Sequence, residues 1–155
     1  MHKQIEELFD EAENRYLKTE ELNVLSQYVS SLPERLETYR LIRDQELDIM
    51  QQVVDQLQKQ MPDEPIANLE RSIKNALLVV RHCAMGMLLN DENYIQDRAL
   101  NWLSRTAQVY NTQTIDTVLY RLLTQRLSQV LTPQQLGLFN PFLQLVQQRL
   151  LVSAS

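Results

Sequence analysis

Between residues 67 and 89 the chain is apolar on most sides, with Ile73, Ala76, Leu77, Leu78, Val79, Val80, Met85, Met87 and Leu88 distributed around the helical wheel. A helix of this kind has no wide polar face to give to water, so several other helices must wrap it. The rest of the chain supplies them. Only two glycines and five prolines interrupt 155 residues, a shortage of turn formers that suits long helices joined by short links. Residues 3–16 form an amphipathic segment with Ile5, Leu8, Phe9 and Tyr16 as its apolar set, and Thr19 opens another that carries Leu22, Leu25 and Val29. Ser31 followed by Glu34 reads as a capping box with Pro33 in the first helical turn, where a missing N–H costs little. The helix it opens repeats Leu36, Tyr39, Ile42, Ile49, Val53 and Leu57 at helical spacing until Pro62 and Pro65 stop it. Asn90 and Asp91 end the central helix. Segments 93–110 and 113–131 are helical by period, and Thr132 with Gln135 forms a second capping box before a last helix that Pro141 bends. Gly86, inside the central helix, predicts a close helix crossing. The fold class is all-α in a single domain, 1–155, and a chain of this length buries roughly 70% of the surface it exposes when unfolded.

Charge and cysteine usage narrow the function classes. The net charge of -5 hides an asymmetry: residues 1–70 hold 16 acidic against 7 basic side chains, and 71–155 hold 4 against 8. A basic face for phosphate is not indicated, so nucleic acid is not an expected partner. An acidic and a basic half are suited to meeting between subunits, or to standing as two solvated faces. Cys83 is the sole cysteine, which excludes an intramolecular disulfide and fits a reducing compartment. The N-terminal stretch is acidic and amphipathic, unlike a secretory leader, and no membrane span is expected, so the expected location is the cytoplasm.

No catalytic centre is legible, and the expectation is a protein that acts by binding rather than as an enzyme. Two histidines with no Glu-x-x-His pair make a metal site unexpected. Gly86 and Gly137 are too isolated to cradle phosphate. Asp44, Glu46 and Asp48 lack the turn glycine of a calcium loop and read as a solvated helix face. His82 and Cys83 are adjacent, but neighbours on a helix point about 100° apart and cannot act as base and nucleophile together. A buried thiol and a partly buried imidazole are expected, with His82 as an axial haem ligand the functional alternative.

The stretch Arg81-His82-Cys83-Ala84-Met85-Gly86-Met87-Leu88-Leu89-Asn90-Asp91, continued by Ile95, Asp97-Arg98-Ala99-Leu100-Asn101 and Leu103, resembles the phycobiliproteins in ungapped order. Arg15-Tyr16-Leu17, Glu21-Leu22, Leu25-Ser26-Gln27-Tyr28-Val29 and Arg35-Leu36-Glu37 are similar to the opening helices of the same family. The resemblance implies a globin-like core over 31–155 and an additional N-terminal helical pair over 1–30 that serves subunit association. It also implies a bilin site that has degenerated. Where the family attaches a linear tetrapyrrole to cysteine, nine residues before the arginine matching Arg81, this chain has Ser72. Lys74 stands for the arginine that pairs with a bilin propionate, and Asn75 for the aspartate that hydrogen-bonds the pyrrole nitrogens; the lysine loses the planar fork and the asparagine the negative charge. The glycine-rich segment before the site is shortened to residues 61–65. Cys83, eleven positions beyond Ser72 and about 16 Å along the helix, is a poor replacement. Subunit pairing in the family implies Glu11, Tyr16 and Arg81 as interface residues, with Glu11 of one copy meeting Arg81 of another in a homodimer. The expected function is therefore an accessory protein without covalent chromophore, supporting bilin biosynthesis or phycobilisome assembly as some cyanobacterial relatives do. A light-harvesting subunit with non-covalent bilin, and a haem-binding globin sensor using His82, stand as alternatives.

Overall fold

The computed structural model describes residues 3–152, and every regular element among them is helical. In chain order these are α1 (Lys3–Ala12), α2 (Thr19–Gln60), α3 (Ile66–Leu89), α4 (Glu92–Ile95), a π turn (Gln96–Leu100), α5 (Asn101–Tyr110), α6 (Gln113–Val130) and α7 (Pro133–Val152). The segment singled out by its all-round apolarity, α3, is the axis of the fold: it packs against α2, α4, α6 and α7, and Ala76, Val79, Val80, Cys83 and Met87 are buried. By length and composition alone α3 also qualifies as a bilayer-crossing helix, against the expectation that no segment would. Here it is the core helix of a bundle, and its inner face is occupied by other helices.

The two ends of α3 explain how the chain turns. Asn90 adopts the left-handed region at φ 49°, which asparagine tolerates better than branched residues do. Its N–H donates to the Met87 carbonyl at 3.1 Å and that of Asp91 donates to the Gly86 carbonyl at 2.9 Å. The Asp91 carboxylate then accepts the Asn93 N–H at 3.0 Å and starts α4. Gly86 makes the close crossing its position predicts, because a Cβ there would lie 3.2 Å from Phe142 Cδ1 and 3.3 Å from Ile95 Cδ1. The second capping box is also present: Thr132 N–H donates to Gln135 Oε1 at 3.0 Å, and Gln135 N–H to Thr132 Oγ1 at 3.2 Å.

Three local expectations are corrected. Residues 3–16 are not all helical, since α1 ends at Ala12 and Tyr16 lies beyond it. The segment opened by Thr19 and the long helix after it are one element, because α2 runs through Pro33 for 42 residues. Ser31 caps nothing; its hydroxyl donates to the Tyr28 carbonyl at 2.7 Å and accepts Arg35 Nε at 2.8 Å. What opens α2 is Glu21, whose carboxylate takes the Lys18 N–H at 2.8 Å and both ends of the Arg15 guanidinium at 2.8 and 3.1 Å. The ion pair with Arg15 and the backbone donor hold this carboxyl well down, to about 2. Lastly, the segment 93–110 is divided by the π turn, and the Trp102 indole donates to the Arg98 carbonyl within it at 3.0 Å.

Candidate functional site

Ser72 lies on the buried side of α3, with 2% of its surface exposed. Across from it, the first turn of α6 presents Asp116, also buried, whose Oδ2 accepts the Thr112 hydroxyl at 2.7 Å. The Ser72 hydroxyl faces this carboxyl closely enough to steady its charge, yet makes no well-aligned hydrogen bond of its own. Burial dominates and raises the Asp116 carboxyl above its ordinary 3.8, against the opposing pull of Thr112 and then Ser72. One turn on, the Tyr120 phenol is fully enclosed and raised well above 10.0 by burial, with Asp116 and Cys83 adding in the same direction. These side chains form a polar seam between α3 and α6.

The three positions expected to form a degenerate bilin site do not converge. Ser72 points into the seam, Lys74 is exposed, and Asn75 is half-buried, as successive 100° steps around a helix require. The neighbouring Arg71 stacks its guanidinium over the Tyr110 ring at 3.8 Å, a cation–π contact that ties α3 to the end of α5. The group at position 72 is a hydroxyl turned toward Asp116, and the one thiol, Cys83, is completely buried, with burial pushing it far above its ordinary range.

His82 is half-buried beside Tyr94, with ring centroids 6.1 Å apart, and Arg98 sits 5.3 Å over the Tyr94 ring. Burial first and the Arg98 charge second lower the imidazole below its ordinary 6.5. Among the described residues no three His, Cys, Asp or Glu side chains gather as a metal site would require.

The residues expected at a subunit interface are displayed on α1, α3 and the link between α1 and α2. Tyr16 is 99% exposed. Glu11 pairs with Arg15 at 3.4 Å in its own chain. Arg81 holds Glu46 of α2 through two hydrogen bonds, at 2.7 and 3.0 Å, which raises its already high pKa. Of the acidic run at 44–48, Glu46 is thus a tether between helices, while Asp44 and Asp48 are exposed as expected. On α1, Ile5 and Leu8 are buried against the chain itself, whereas Phe9 and, on α2, Leu22 stay half-exposed.

Asp116 and Arg71 are functional candidates that sequence reasoning missed. Asp116 had a signal: it shares a helical stripe with Leu119, Tyr120 and Leu123, all buried, so a carboxylate at that register faces the interior. Arg71 had none, because its partner Tyr110 is set by the packing of α5.

The helix order, with a short N-terminal helix packed on the start of a longer one and a central helix enclosed by the others, defines an all-α, globin-like protein of the phycobiliprotein type. The family model described as "Phycobilisome protein" matches residues 9–150, and the chain belongs to that family. No curated protein matches it.

Proposed function

We propose that this chain is an accessory member of the phycobilisome protein family that carries no covalently attached bilin, is not an enzyme, and supports bilin supply or phycobilisome assembly through protein contacts in the cytoplasm. The observation that carries this reading is the enclosure of both candidate attachment groups: Ser72 faces Asp116 in the α3–α6 seam and Cys83 is buried. Family members bind bilin, usually through a covalent bond, and light harvesting depends on a pigment held rigidly. A chain whose position 72 is a buried hydroxyl is poorly equipped for that task.

Association as a homodimer belongs to the same proposal. Phe9, Tyr16 and Leu22 leave apolar surface near the start of the chain, and the acidic first 70 residues complement the basic remainder. Because Tyr16 is almost wholly exposed, replacing it leaves the monomer fold intact. Light scattering should give a dimer for the wild type and a shift toward monomer for Tyr16→Ala; a monomeric wild type refutes association, and an undisturbed dimer in the variant moves the interface elsewhere.

One observation favours a second reading, a bilin held without a thioether: Arg71 lies over the exposed Tyr110 ring, and Lys74, exposed, follows three residues later on the same helix, a supply of cations and ring that suits a propionate-bearing tetrapyrrole. Protein coexpressed with phycocyanobilin would then keep visible absorption through gel filtration and lose affinity with Lys74→Glu. Colourless protein rejects this second reading and leaves the first.

A further inference from the structure

We propose that the cleft between α2 and α6 is a docking site for an extended, acidic peptide segment of a partner protein, independent of the degenerate bilin site. The two helices pack against each other, yet over one stretch both line a cleft with polar stripes. Gln52, Gln56 and Gln60 recur every fourth residue on α2, and Gln125, Arg126 and Gln129 face them from α6. A cleft of about 350 Å³ opens between the stripes, floored by Val53 and Leu122, which are 2% and 6% exposed. That volume is within the range of ligand sites.

Its charge is unbalanced. Arg126 forms no ion pair among the described residues; one terminal nitrogen donates to Gln129 Oε1 at 3.1 Å, and Nε is buried with no acceptor. Arg121, five residues earlier and outside the lining itself, reaches the rim of the cleft by donating to Gln60 Oε1 at 2.6 Å, and among the described residues it has no carboxylate either. Two guanidinium groups held only by neutral amides, in a protein of net charge -5, select for carboxylates. A carboxylate that draws the Arg126 fork into the cleft gives its buried donor the acceptor it lacks. The glutamines supply the remaining match. Side chains four residues apart on a helix repeat about every 6 Å, close to the spacing of alternate residues in an extended strand, about 6.7 Å. The side chains of Gln52, Gln56 and Gln125 are bonded to no other side chain among the described residues, so each has both a donor and an acceptor to offer a peptide group.

The test is a nitrogen-resolved NMR titration of the full chain with a capped tetrapeptide alternating glutamate and serine, with its lysine counterpart and with glutarate, at constant ionic strength. The glutamate peptide should shift the side-chain amides of Gln52, Gln56 and Gln125 and the Arg126 Nε–H saturably, and Arg126→Gln should weaken binding at least about tenfold. Arg121→Gln, on an exposed residue, is the second variant if the first does not fold, and should also weaken binding. No saturable shift, or equal binding of the lysine peptide, overturns the proposal. Glutarate binding as tightly as the peptide also overturns it, since the cleft would then be a site for a small acid.

Discussion

A carboxylate buried against a serine and a threonine is the least expected side chain in this molecule, and its energetics are testable. In the unfolded chain Asp116 ionises near its ordinary 3.8, whereas burial in the α3–α6 seam raises the folded value. The folded state therefore holds the proton to higher pH. The stability that the protonated group contributes is full below 3.8 and is lost as pH rises through the folded value. Asp116→Asn cannot ionise, so its melting temperature relative to wild type should climb between about pH 3.5 and pH 7; a constant difference would show that the carboxyl is not desolvated. The two glycines make a second contrast. Gly137 is exposed, and a Cβ added there would meet no atom within 4 Å, so Gly137→Ala should stabilise α7 by up to about 1 kcal/mol. Gly86 sits against Phe142 and Ile95, and Gly86→Val should cost about 1–3 kcal/mol by overpacking. Thermal denaturation reads both, and a tolerated valine would contradict the close crossing. At this scale the sequence was informative where one residue type answers one local demand, as at Gly86, Asn90 and Thr132. It was silent on Ser72 and Asp116 as neighbours, since they come from different helices, 44 positions apart in the chain.

The continuity of α2 shows why a local pattern can mislead. Ser31, Pro33 and Glu34 have the types and spacing of a helix start, and a proline inside a helix normally costs about 3 kcal/mol or more. Long-range contacts decide otherwise. Arg35, buried and with no carboxylate partner among the described residues, donates from one terminal nitrogen to the Met87 carbonyl at 2.7 Å, and the Tyr28 hydroxyl donates to the Leu88 carbonyl at 3.2 Å. Both act on the last turn of α3, where the helix dipole favours a cation and carbonyls need donors. The residues on either side of Pro33 are thus fixed to the same helix end, and α2 is held continuous through the proline. Sequence separations of 52 and 60 lie outside any local reading. Arg35→Met should keep the aliphatic packing and strip the donors, destabilising the chain by about 1–3 kcal/mol in urea unfolding; an unchanged midpoint would mean that the α3 carbonyls are satisfied without it.

For the molecule as a whole, the all-α class and the central place of α3 followed from apolar patterning, and the family from residues spread over most of the chain, because both depend on features repeated many times. The candidate site was legible only as positions. That Ser72 turns inward while Lys74 turns outward depends on the rotation of α3 against α6, which no local spacing encodes. The most direct measurement is denaturing electrophoresis of the protein produced together with phycocyanobilin, followed by zinc-enhanced fluorescence of the band. With Ser72 in the seam and Cys83 enclosed, the band should be dark; a fluorescent band that disappears with Cys83→Ala would show that the buried thiol is reached and would contradict the account.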